Sequence, residues 1–224
     1  MTDKQLEILI IKVLKLALLE ILKEIVKAGG VQMSEFVPNQ WAEEQVPKAV
    51  EDCKECGLYK HGSRMVWGEG NPNAPILILL DNPGAREDRE GNPFVCGTRQ
   101  ALQQAAYAVG LTDIDLYTTY ILKRKPTRAY DKETVRNICM RHLEEQLQVK
   151  EPYIIFCLGN VAVQSFFHNP NAEVKSMRGT IQQVKEFQTL VSYHPLAVRR
   201  RPNLWPHFIK DWENLADFYR LFNC

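Results

Sequence analysis

Two places in the chain set polar, titratable side chains where an apolar run ends. The first is ILILLDNPG (76–84), in which Asp81, Asn82 and Gly84 follow an aliphatic stretch. The second is TLVSYHP (189–195), in which His194 stands between a tyrosine and a proline. A carboxylate can hold a water or balance a developing cation, an imidazole can donate to a developing anion, and a glycine lets a ligand approach the backbone closely. Each also has a plainer use: Asp-Asn-Pro-Gly suits a turn or helix cap, and a histidine beside a proline can be an ordinary loop residue. A third set is Cys53 and Cys56 at C-x2-C spacing, then Cys139 with His142 at C-x2-H spacing. Three thiols and an imidazole could hold zinc, although the two pairs lie over eighty residues apart, which is weak as a zinc signature. Three thiols with no metal is the alternative, since cysteine is often an interior residue. Cys157 sits inside an apolar run and reads as core, while Cys96 and Cys224 carry no signal.

Elements that would position these groups follow from periodicity. PILILL (75–80), LYTTYIL (116–122), YIIFCLG (153–159) and TLVSY (189–193) are short apolar runs with β-branched and aromatic residues between turn formers, and they predict buried strands. Helical patterns run from Thr98 to Val109, Asp131 to Val149, Asn160 to Phe167 and Pro206 to Phe222, with Thr98 and Asp131 as expected N-caps. Strand alternating with helix predicts a parallel sheet covered on both faces, with ligands at the carboxyl ends of the strands. The loops DNPGAREDREGNPF, KRKPTRAY, GNVAVQ and HPLAVRRRP should converge there. No G-x-S-x-G, G-x-x-x-x-G-K-[ST] or G-x-G-x-x-G occurs, so serine hydrolase, P-loop and dinucleotide readings have no motif behind them.

The 224 residues suffice for one full domain, expected over 33–224. A net charge of +1 gives no global field toward nucleic acid, which leaves two local patches, Lys123, Arg124, Lys125 and Arg128, and Arg199, Arg200 and Arg201. Six cysteines in a chain of this length do not resemble a secreted disulfide scaffold, so a reducing cytoplasm is expected. Residues 1–32 stand apart as an apolar helix, too often interrupted by charge to span a membrane and unlike a signal peptide. Lys4, Lys12, Lys15, Lys23 and Lys27 form a narrow stripe that leaves a wide apolar face. Gly29 and Gly30 end the segment and Met33 is a candidate chain start, so residues 1–30 read either as an appended homo-oligomerising helix or as a native helix packed on its own domain.

Taken in order, VWGEGNPNAPILILLDNPGAREDREGNPFV, YTTYILKRKP, EPYIIFCLGNVAVQSF, the MRG at 177–179 and SYHPLAVRR resemble the uracil-DNA glycosylase superfamily, in particular its iron–sulfur (family-four) branch, over about residues 50 to 218. The resemblance implies an α/β/α sandwich on a four-stranded parallel sheet. It also implies a monofunctional glycosylase of base-excision repair, which flips a uracil out of DNA and hydrolyses its glycosidic bond. Phe94 would be the ring on which the base stacks, His194 the donor to the leaving base, and Asp81 the group that holds water and stabilises the sugar cation. Asn82 is a second candidate for the water, because a sister branch uses the asparagine of an N-P-G motif. Leu196 would wedge into the vacated stack while Arg199, Arg200, Arg201 and Lys123 hold phosphates.

Three positions depart from that pattern. Asp81 stands where the family has glutamate, which shortens the reach and keeps the charge. Tyr120 stands where the family has the asparagine that reads the edge of uracil, so a glycosylase for another modified base, or a DNA-binding protein without catalysis, are the competing expectations. Cys53, Cys56 and Cys139 match three of the four thiolates that hold a [4Fe–4S] cluster in the family, and Arg124 takes the place of the other. A cluster, a zinc ion or no metal are thus the alternatives.

Overall fold

The computed structural model describes residues 36–84 and 97–222. The expected helix over 1–32 and the Phe94 ring lie outside these residues. Elements follow in the order β1 (Glu69–Gly70), β2 (Ile76–Leu80), α1 (Gly97–Ala108), β3 (Leu116–Tyr120), α2 (Lys132–Lys150), β4 (Ile154–Leu158), α3 (Asn160–Phe166), α4 (Val174–Met177), β5 (Gln182–Val184), β6 (Phe187–Ser192), α5 (Pro195–Arg200) and α6 (Trp205–Phe222).

All four expected strands form and pair in parallel, β3 with β2, β2 with β4, and β4 with β6. The sheet is larger than the four strands expected: its order is β1-β3-β2-β4-β6-β5, with β1 and β5 added antiparallel at the edges. These edge strands have two and three residues, Glu69–Gly70 and Gln182–Val184, too short and too polar to show a strand period.

Side-chain alternation sorts the sheet into two cores. Ile76, Ile78, Leu80, Tyr120 and Phe156 pack with Leu102 of α1 and Phe208 and Trp212 of α6. Leu77, Leu79, Ile155 and Cys157 pack with Leu143 of α2 and Val163 of α3. Every residue of β2, β3 and β4 is buried, which is why these strands read as continuous apolar runs. From β2 the chain crosses to β3 on one side and then returns to β4 on the other. The sheet therefore has a switch point at β2, and the carboxyl ends of β2 and β4 open a crevice there.

Helix ends match the expected ones to within a residue or two. Asp131 caps α2, accepting from the Thr134 N–H at 3.3 Å and the Thr134 hydroxyl at 2.6 Å. Thr98, expected as a cap, is instead the second residue of α1. The basic stretch after His194, expected as a loop, is the helix α5: Pro195 sits in its first turn and the His194 side chain caps it.

Candidate active site

Asp81 continues the line of β2 by one residue, its carbonyl accepting from the Leu122 N–H at 2.9 Å. His194 lies two residues past β6. The two side chains meet in the crevice, with His194 Nε2 3.3 Å from Asp81 Oδ1, and both stay reachable from solvent at 21 % and 35 % exposure. His194 Nδ1 accepts from the Leu196 N–H at 3.1 Å, so the proton of the neutral ring belongs on Nε2, directed at the carboxylate. Burial pushes the Asp81 carboxyl up, but the His194 hydrogen bond and charge and the backbone N–H groups of Asn82 and Asp81 outweigh it and hold the group below its ordinary range. The Asn82 N–H lies 2.8 Å from Asp81 Oδ1. The site thus presents an anionic acceptor in contact with an N–H donor, the two functions that cleavage of a bond with charge separation requires.

Two supports set the imidazole. Gly159, which ends β4 at φ 96°, donates its N–H to the Ser192 carbonyl at 2.9 Å. A Cβ at Gly159 would lie 2.8 Å from the Cβ of His194, so only glycine lets the β4 end pass under the histidine. Behind β6, the carboxylate of Asp211 accepts the Ser192 hydroxyl at 2.6 Å and a two-pronged Arg178 guanidinium at 2.8 and 3.0 Å. Arg178 also donates to the His207 carbonyl and lies over the Tyr193 ring. Asp211 is buried at 2 % exposure, and burial raises its carboxyl despite Ser192 and Arg178. Arg178 belongs to the MRG stretch, but its partner Asp211 lies on a distant helix, and no local pattern links them.

The remaining expected site residues divide. Asn82 turns its amide onto the Pro83 carbonyl at 2.8 Å, closing a local turn. Gly84 is the last described residue before the stretch that contains Phe94. Tyr120 is buried at 1 % exposure in the core facing α1. Its hydroxyl accepts from Arg99, whose guanidinium lies over the ring and pairs with the buried Glu69. The phenol is thereby held in place by a buried ion pair that no sequence motif announced.

Lys123 must be corrected: it is not a phosphate contact but a buried lysine at 1 % exposure. Its Nζ donates to Thr119 Oγ1 at 2.7 Å, to the Tyr120 carbonyl at 3.0 Å and to Gln146, and it lies over the Trp67 ring. Three acceptors make the inward rotamer tolerable, while desolvation lowers the ammonium to about 7 against the pull of Cys139 and Glu44. Arg199, Arg200 and Arg201 are exposed and Leu196 is half-buried. Arg199 lies against Gly97 at the start of α1, beside an open cleft of ≈ 320 Å³ between α1 and α5.

Cys53, Cys56, Cys139 and His142 do come together. His142 Nε2 lies 3.2 Å from Cys53 Sγ, and Cys139 and Cys56 are close enough to perturb each other's thiols. The Cys139 neighbour, against desolvation and with help from the Leu58 and Cys56 N–H groups and the Arg124 charge, lowers Cys56 to about 6. The Cys56 neighbour and burial raise Cys139. Arg124 completes the group. Among the described residues, no three His, Cys, Asp or Glu side chains are disposed to hold one metal ion. Nor is any helix there long and apolar enough to cross a membrane.

The family model described as the uracil DNA glycosylase superfamily matches residues 67–216. A type-4 uracil-DNA glycosylase of Archaeoglobus fulgidus is 30 % identical over 183 residues, covering 78 % of this chain and 92 % of the relative. Type-4 uracil-DNA glycosylases of Pyrobaculum aerophilum and Sulfurisphaera tokodaii are 28 % and 29 % identical, over 79 % and 78 % of this chain and 92 % and 83 % of their own lengths. By the family model and by the Archaeoglobus fulgidus relative, the chain belongs to the uracil-DNA glycosylase superfamily.

Proposed function

We propose that this protein is a monofunctional uracil-DNA glycosylase of base-excision repair. The observation that carries the reading is the Asp81–His194 contact at the carboxyl edge of the sheet, 3.3 Å between Oδ1 and Nε2, in a chain of this superfamily. A uracil extruded from DNA enters beside this pair and stacks on Phe94. The bond from C1′ to N1 lengthens, positive charge grows on the sugar and negative charge on the base. His194 moves its Nε2–H from Asp81 to the base oxygen, where the donor is worth more because the acceptor is becoming an anion. Asp81, ionised and relieved of that hydrogen bond, balances the sugar cation and orients the water that adds to C1′. Asn82, its amide folded onto Pro83, reaches that water only by leaving the turn. Leu196 fills the vacated stack and Arg199, Arg200 and Arg201 hold the flanking phosphates.

The [4Fe–4S] cluster that the resemblance implies does not fit the residues present. Three thiols and a guanidinium are not a four-thiolate set, and no step of the reaction passes through a metal. The base identity rests on kinship, because the position that reads uracil in the family holds Tyr120. The bond between its hydroxyl and Arg99 favours a second reading, a glycosylase for another modified base. Duplexes carrying uracil, hypoxanthine or hydroxymethyluracil, assayed for abasic sites, decide between them. Release of uracil is expected. Release of another base alone establishes the second reading, and DNA binding with no base released from any duplex refutes both.

A further inference from the structure

We propose that Arg124 takes over the structural work of an inorganic cluster, so that this lobe of the protein folds and persists with no metal on Cys53, Cys56 and Cys139. A guanidinium has five donors and no lone pair to give, and it stays protonated in proteins, so it cannot ligate iron. What it can do is bridge carbonyls. Arg124 Nη1 donates to the Ser63 carbonyl at 2.8 Å and Nη2 to the Glu51 carbonyl at 3.2 Å. Those two carbonyls flank the segment that carries Cys53 and Cys56, so one side chain closes the loop that a cluster would otherwise tie.

The same segment is laced by direct protein bonds to residues 123–128, which follow β3. Arg124 forms an isolated antiparallel bridge with Met65. The Val66 N–H donates to the Lys123 carbonyl at 2.8 Å, and the Ser63 hydroxyl to the Lys125 carbonyl at 2.7 Å. The Thr127 hydroxyl donates to the His61 carbonyl at 3.0 Å, and Arg128 donates to the Lys60 carbonyl. Toward α2, Glu55 pairs with Arg141, and His142 lies against Cys53. Cys53 has His142 beside it, and Arg124, whose permanent charge is felt at Cys53 and Cys56, takes the position in the sequence where the resemblance calls for a fourth cysteine. This holds whichever base is excised.

The full chain, expressed with added iron and purified without air, tests the proposal by metal analysis, visible absorption and thermal unfolding with and without a strong chelator. A colourless protein is expected, with iron and zinc both well below one atom per chain and one Tm in both conditions. Arg124→Met, which keeps the bulk and removes the donors, should lower Tm by roughly 5 °C. A brown wild-type protein carrying a stoichiometric iron–sulfur cluster would overturn the proposal, as would stoichiometric zinc whose removal lowers Tm. Wild-type metal content decides the matter even if Arg124→Met does not fold.

Discussion

His194 is held from two directions, by the Leu196 N–H on Nδ1 and by Asp81 at Nε2, with Gly159 immediately beneath its Cβ. The first contact fixes the tautomer and the last fixes how low the ring can sit. Gly159→Ala therefore attacks the geometry without touching either functional group. The new methyl would lie 2.8 Å from the His194 Cβ, at a backbone φ of 96° that side chains rarely adopt. The expected result is a fall in single-turnover excision of 10²-fold order, by analogy with loss of one positioned donor, with DNA affinity unchanged in equilibrium binding. An unchanged rate would show that the ring has room the structure denies it.

At the scale of elements, the end of β6 is anchored to α6 by Asp211, which binds Ser192 and the fork of Arg178. Arg178→Ala would leave a carboxylate of 2 % exposure with one hydroxyl for company. Breaking such a pair costs about 3–5 kcal/mol, which urea unfolding should register, and Arg178→Lys should recover only part because it lacks the fork. Why this network escaped the sequence is plain from its parts: Arg178 and Asp211 lie 33 residues apart, on elements whose packing no local period encodes. By contrast, Asp81 and His194 were legible because each follows a buried strand, and strands of a parallel sheet deliver their last residues to one edge. Lys123 misled for the complementary reason. It stands beside Arg124 and Lys125 in a basic run, and charge patterning cannot foresee that Thr119, Gln146 and the Tyr120 carbonyl await it inside. The edge strands β1 and β5 were too short to carry a pattern, and nothing local to Tyr120 announced that Arg99 and Glu69 hold it.

For the whole molecule, a net charge of +1 means that attraction to DNA must come from where the charges sit. With Lys123 buried, the exposed Arg199, Arg200 and Arg201 on and just after α5 are the cations next to His194. Each arginine that neutralises a phosphate adds about 0.9 to the slope of log affinity against log salt, so Arg200→Ala should lower that slope by about this amount in a salt titration of duplex binding. Asp81 and His194, proposed to act as one unit on the glycosidic bond, are probed together by a double-mutant cycle in single-turnover excision of uracil. Wild type, Asp81→Asn, His194→Ala and the double variant would be compared on saturating duplex. Each single variant should lose about 10²-fold or more, with the double variant little slower than the worse single one. A His194→Ala protein that excises uracil at the wild-type rate would contradict that joint role.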